Sequence, residues 1–157
     1  MTRLRGRAPI GRRLHDHAPG GQWNTTTMIS SIRTNGKTAC MTIEGPTTRE
    51  VFRAYVQHIL RPTLHRGDIV ILDNLSSHKD PQAIQMLEQV GAEVRFLPPY
   101  SPDLNPIEKM WSKVKEFLRS VKARTRQTLF EAIGAALRLV TAKDAIHWFT
   151  SCGYSII

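Results

Sequence analysis

The chain has 157 residues, one domain's worth and enough to bury a core without disulfide or metal staples. It is 41% hydrophobic and 22% charged, no apolar run approaches a bilayer span, and the opening MTRLRGRAPIGRR has no hydrophobic stretch behind it, so neither a membrane anchor nor a secretion signal is expected. Lys and Arg number 22 against 13 Asp and Glu, a net charge of +9, which fits either a nucleic-acid partner or a plainly basic soluble domain.

Residues 1–22 are polar and rich in Arg and Gly, and read as a basic arm or loop. Arg3, Arg5, Arg7, Arg12 and Arg13 all precede the first acid, Asp16, and suit contacts to backbone phosphate. Two β-compatible runs follow, Thr25–Arg33 and Lys37–Ile43. Asn35-Gly36 between them predicts an antiparallel hairpin. Cys40 and Cys152 lie far apart and outside any CxxC spacing, which argues against a zinc site and fits a reducing cytoplasm. Thr47 or Thr48 caps an expected helix with Val51, Phe52, Tyr55, Ile59 and Leu60 at helical spacing, closed by Pro62.

Asp68-Ile69-Val70-Ile71-Leu72 has the character of a strand buried on both faces. A helix through Ala83, Ile84, Leu87 and Val90 stops at Gly91, and Glu93–Leu97 is a further strand. That strand, helix, strand order predicts a parallel pair. After Pro98-Pro99-Tyr100-Ser101-Pro102 comes a long helix with Ile107, Met110, Trp111, Val114, Leu118 and Val121 on one stripe. Helices over about 127–140 and 143–149 complete the chain. Lys109, Lys113, Lys115, Arg119, Lys122, Arg124 and Arg126, broken only by Glu116, form a second basic cluster that suits backbone phosphate contacts to DNA.

Two acids stand out. Asp73 directly follows the buried strand, where open α/β sheets place their active sites, and equally where an Asp-Asn pair initiates a turn by bonding its own backbone. Asn105-Pro106-Ile107-Glu108 reads as a helix start, with Asn as cap, Pro at the first helical position and Glu at the third. Glu108 is then a capping-box residue, or an acid at the edge of the packed face that meets the strand tip, or both. Between Asp73 and Glu108 stand 34 residues holding a helix, a strand and a Pro-rich turn.

At this separation ILDNLSSHK (71–79) and FLPPYSPDLNPIEKMWSKVK (96–115) resemble the DDE transposases of the mariner superfamily, above all their bacterial insertion-sequence branch. GRAPIGRRL and GGQWNTTTMIS upstream resemble the same branch, so the similarity covers essentially the whole chain. The resemblance implies a ribonuclease-H-like α/β fold, a mixed sheet flanked by helices. It also implies three acids holding two Mg²⁺ ions, or Mn²⁺, for phosphodiester cleavage and strand transfer. By the match Asp73 is the second metal ligand and Glu108 the third, while Asn74, His78 and Asn105 line the site; His78 reads equally as a solvated loop histidine.

The family's first acid lies on a central strand that the pattern places before residue 1, and no helix-turn-helix is found here. The chain is therefore expected to be a truncated single catalytic domain, 1–157, inactive alone. The hairpin and the strand before Asp73 would lack the partner between them. Implied partners are DNA, a second copy or full-length transposase, on the bacterial nucleoid. The alternatives are a non-enzymatic DNA-binding or assembly module that works with or against full-length transposase, and another ribonuclease-H-like nuclease. The PPYSPDLNPIE string counts against the last.

Overall fold

The computed structural model describes residues 7–13, 15 and 25–155. The hairpin forms where Asn35-Gly36 indicated. Strands β1 (Thr26–Ile32) and β2 (Thr38–Glu44) run antiparallel, in register from Thr26 opposite Glu44 to Ile32 opposite Thr38. Asn35 Oδ1 accepts from the Lys37 N–H at 3.0 Å, and Gly36 takes a φ of +82°, open to glycine at no steric cost. Because successive strand side chains point to opposite faces, β1 serves two cores at once. Ile29 enters one, and Met28 and Ile32 pack against the other.

The first core is built on helix α1 (Arg49–Tyr55), which starts where the Thr48 hydroxyl accepts from the Val51 N–H at 3.3 Å. It widens into a π-turn, Val56–Leu60, and closes in a 3₁₀ turn, Arg61–Thr63, that contains Pro62. Phe52, Tyr55, Val56 and Leu60 are buried there with Val70, Leu72, Ala83, Leu87 and Ala92. Strand β3 (Ile69–Leu72), helix α2 (Pro81–Glu88) and strand β4 (Glu93–Phe96) make the expected unit, with β3 and β4 parallel and Leu72 opposite Phe96.

One expectation fails. Strand β3 is not buried on both faces: Val70 and Leu72 face the core, whereas Ile69 is 52% exposed. The partners of Ile69 and Ile71 across the ladder are Glu93 and Arg95, which pair with each other at 2.7 Å and stay exposed. Charged neighbours keep that face wet, and an apolar run alone does not reveal them.

Among the described residues the hairpin and the β3–β4 pair form two separate two-stranded sheets, which meet through Ile29 in the first core. The second core holds α3 (Pro106–Val121), α4 (Arg126–Arg138) and α5 (Ala142–Ser151), packing Met110, Val114 and Leu118 against Ala132, Ile133, Ala136, Val140 and Trp148. The last two helices open with reciprocal capping boxes, Thr125 with Thr128 and Thr141 with Asp144. The fold is mixed α/β, and no helix among the described residues is long and apolar enough to cross a membrane.

Candidate active site

Parallel pairing of β3 and β4 brings the residues after each strand side by side. The Leu97 N–H continues the ladder onto the Leu72 carbonyl at 2.8 Å, and the Asn74 side-chain amide donates to the Leu97 carbonyl. Asp73 thus leaves the sheet beside the Pro98–Pro102 turn, which leads into α3. A cavity of about 520 Å³ opens between these segments. Asp73, Asn74, Asn105 and Glu108 all line it, as do Leu75, Lys79 and Tyr100.

Asp73 fulfils the turn role and remains available for another. Its Oδ1 accepts from the Leu75 N–H at 3.0 Å, the Asp-Asn turn, and bonds His78 Nδ1 at 2.6 Å. Among the described residues no hydrogen bond is made to Oδ2. The side chain is 47% exposed, and the His78 bond, followed by the Leu75 N–H, holds its carboxyl below the usual range against partial burial.

Glu108 sits at the third position of α3, as expected, but the capping box is not made. The Asn105 N–H goes to the Pro102 carbonyl at 3.1 Å, and the Asn105 side chain caps nothing. Both side chains are left in the cavity wall, free of a capping role, and Glu108 is exposed.

His78 is neither solvated nor in the cavity lining. It stands behind Asp73, with its side chain 17% exposed and its ring on that of Phe52, 4.4 Å between centroids. Phe52 is itself 2% exposed, so the histidine rests on core rather than on a loop.

Three supports escaped sequence reading. Arg53, the next residue of α1, donates Nε and Nη2 to Asp80 at 2.9 and 2.8 Å. Asp80 is buried, caps α2 by accepting from the Ala83 N–H at 3.0 Å, and its carboxyl is held low chiefly by Arg53. Helix α1 therefore grips the segment 76–80 at both Phe52 and Arg53. On the other wall the Tyr154 hydroxyl donates to the Leu104 carbonyl at 2.8 Å and pins the turn before Glu108 from the far end of the chain. The Asp80-Pro81 capping signature was readable; the long-range partners were not.

The basic residues divide. Arg7, Arg12 and Arg13 are exposed, and Arg3 and Arg5 lie outside the described residues. Lys109, Lys115 and Arg119 are exposed on α3, and helical spacing sets Lys115 and Arg119 on the Glu108 side. Lys113 is committed to the fold: its ammonium donates to the Leu139 carbonyl at 2.8 Å and to Asp144 at 2.7 Å. Among the described residues no cluster of three His, Cys, Asp or Glu side chains is placed to hold a metal ion.

A parallel-strand tip and a helix start thus bring two carboxylates to one cavity, with Lys115 and Arg119 exposed further along α3, and sequence comparison gives the family. Residues 1–130 match the DDE superfamily endonuclease model, and the chain belongs to that family. Among curated proteins it is similar to the Tcb1 transposable-element transposase of Caenorhabditis briggsae, 28% identical over 102 residues, 62% of this chain and 37% of that one. The Tcb2 transposase of the same organism is 27% identical over 89 residues, 54% of this chain and 33% of the relative. The chain thus spans little more than a third of the length of these transposases.

Proposed function

We propose that this chain is catalytic-domain sequence of a cut-and-paste DNA transposase, of the mariner superfamily's bacterial insertion-sequence branch, acting on transposon ends and target DNA at the nucleoid. The observation that carries the reading is that Asp73 and Glu108, with 34 residues between them in the sequence, line one cavity, with neither carboxylate used up by the structure around it. Hard carboxylate oxygens at an exposed strand tip and helix start fit a divalent cation, Mg²⁺ or Mn²⁺. Asp73 through Oδ2 and Glu108 would hold it, with Asn74 and Asn105 beside them. When bound, such an ion supplies charge stabilisation to an in-line phosphodiester displacement and lowers the pKa of the attacking water.

The chain's own residues do the rest. His78 fixes one Asp73 oxygen at 2.6 Å, so the carboxylate presents the other in a single orientation. The Asn74 bond to Leu97 ties the strand tip to the Pro-rich turn, and Tyr154 holds the helix start that carries Glu108. Lys115 and Arg119 continue from Glu108 along α3 and suit the DNA backbone, as do the exposed arginines of the N-terminal arm.

A ribonuclease-H-like sheet is inferred by joining the two strand pairs through a further strand between them. Among the described residues β1 pairs only with β2 and β3 only with β4, and β1 and β3 already share one core, which supports this. That strand is where a third carboxylate would stand, and two ligands without it hold metal weakly. The exposed Lys109, Lys115 and Arg119 on α3 suit a second reading, a DNA-binding or assembly module that acts with or against full-length transposase.

Calorimetric Mn²⁺ titration tests the site, with Asp73→Asn and Glu108→Gln as variants and nicking of supercoiled plasmid as the activity readout. The expected result is weak Mn²⁺ binding lost in both variants, and nicking that requires the completing strand. Unchanged binding in both variants would sink the metal-site assignment. DNA binding without metal binding in the wild type would select the module.

A further inference from the structure

Tyr100 is a large side chain of the cavity lining whose backbone is strained and whose ring packs on none of the described residues. It is fully exposed, at 101% of the reference area, and its backbone φ is +56°. That left-handed conformation suits glycine or asparagine, and a bulky aromatic residue adopts it only when its surroundings impose it. The surroundings are Pro98 and Pro99 before it and Ser101-Pro102 after it, with the Ser101 hydroxyl donating to the Pro99 carbonyl at 3.3 Å. No ring of the described residues stacks on Tyr100, whereas the rings of Phe149 and Tyr154 pair with each other at 5.7 Å.

Neither turn chemistry nor packing accounts for a tyrosine here. Tyr100 lines the same cavity as Asp73 and Glu108, and so does Leu75, itself 50% exposed. Two exposed side chains with apolar bodies thus line the cavity that holds the carboxylates, and the exposed Lys79 lines it too. A flat π-face with an aliphatic neighbour and an ammonium at hand matches the chemistry of a nucleotide, in which base and phosphate are joined. Inside a duplex both faces of a base are already stacked, so the partner must be unpaired or turned out of the helix.

We propose that Tyr100 and Leu75 form an apolar clamp for an unpaired nucleobase next to the phosphodiester held over Asp73 and Glu108, with the Tyr100 ring stacked on the base. The clamp rests on the DNA-processing reading above and adds to it the substrate form: a frayed, tailed or flipped nucleotide in preference to intact duplex. Stacking carries no base code, so the clamp is tolerant of sequence.

The test is fluorescence anisotropy with three labelled oligonucleotides: a duplex with a single-stranded tail, the same duplex with abasic tail positions, and a blunt duplex. The full chain is compared with Tyr100→Phe, Tyr100→Ser and Tyr100→Gly in Ca²⁺ buffer. Glycine adopts a φ of +56° freely, so Tyr100→Gly removes the ring without disturbing the turn and is expected to melt no lower than wild type. Tyr100→Gly and Tyr100→Ser should bind the tailed duplex about 5- to 150-fold more weakly, the range for losing one stacked base. Tyr100→Phe should bind as wild type, and the loss should vanish on the abasic and blunt duplexes. Equal binding of the tailed duplex by wild type and Tyr100→Gly overturns the clamp alone, as does an equal loss on all three DNAs. A dimer that dissociates in Tyr100→Gly with no change in DNA affinity assigns the ring to self-association and overturns it too. Wild type that binds none of the three DNAs overturns the DNA reading and the clamp together.

Discussion

Phe52 joins the core to the site, and its substitution separates two effects that elsewhere come mixed. Its ring is 2% exposed and lies 4.4 Å from the ring of His78, which in turn bonds Asp73 at 2.6 Å. A buried phenylalanine removes roughly 150–250 Å² from water. At about 25 cal/mol/Å² that is roughly 4–6 kcal/mol as an upper bound, and measured Phe→Ala losses run at about 3–5 kcal/mol. A domain of this kind has only about 5–15 kcal/mol to lose, so Phe52→Ala is expected to sit near the unfolding threshold and is a poor probe. Phe52→Leu keeps most of the volume. Its packing cost is about 1 kcal/mol, and the lost aromatic contact with His78 adds about 0.5–1.5 kcal/mol. The expected stability loss is therefore about 1.5–2.5 kcal/mol, read by urea unfolding with tryptophan fluorescence. The chain should remain folded, with His78 no longer seated. The Asp73 carboxyl should then titrate higher than in wild type, because the His78 hydrogen bond is the main influence holding it down. Carboxyl-carbon NMR titration reads this directly, with His78→Gln as a second route to the same end. An Asp73 titration unmoved in Phe52→Leu, despite the expected stability loss, would refute the chain of support from core to carboxylate.

Three further predictions concern acid stability, the hairpin turn and DNA affinity. Arg33 holds the Asp68 carboxyl at about 2, and Lys113 with Thr141 does the same for Asp144. Each folded-state value lies below the unfolded one. The stability these groups contribute is thus complete above about pH 4 and lost as pH falls towards 2. Asp68→Asn should flatten that part of the pH–stability curve, and an unchanged slope in acid denaturation would show that the Arg33 pair contributes nothing. At Gly36 an added Cβ would meet the Thr141 carbonyl carbon at 2.7 Å, whereas at Gly45, with a similar φ of +89°, it would meet nothing within 4 Å. Gly45→Ala should cost about 1–2 kcal/mol for the left-handed backbone alone and Gly36→Ala distinctly more. Equal melting temperatures would count against the close docking of the hairpin on α5. Lys115→Gln and Arg119→Gln should each lower the salt dependence of DNA affinity by about one counterion. Lys113→Gln should instead lower stability, because that ammonium is bonded to Leu139 and Asp144. A salt slope that changes only for Lys113 would reverse this division of the basic cluster.

What the sequence determined on its own is whatever neighbours along the chain decide. Asn35-Gly36 set the hairpin turn, Thr48, Thr125 and Thr141 set helix starts, and the spacing of Met110, Val114 and Leu118 set the buried face of α3. The placing of Asp73 after β3 and Glu108 in the first turn of α3 follows from the same short-range rules. These features rest on hydrogen bonds and periodicities a few residues long, and they are legible wherever they occur. Tertiary structure alone decided the partners. Asp73 is both a turn residue and a cavity acid because its two oxygens part company, and Glu108 is spared a capping role because the Asn105 N–H is taken by Pro102. His78 rests on Phe52 rather than in solvent, Asp80 is buried against Arg53, and Lys113 is spent on Asp144. The open face of β3 depended in the same way on Glu93 and Arg95 across the ladder. The pairings of His78 with Phe52, Asp80 with Arg53, Lys113 with Asp144 and β3 with β4 join groups 24 to 31 positions apart in the chain. No local rule assigns such a partner, because burial and pairing are set by which surfaces the packed elements bring together.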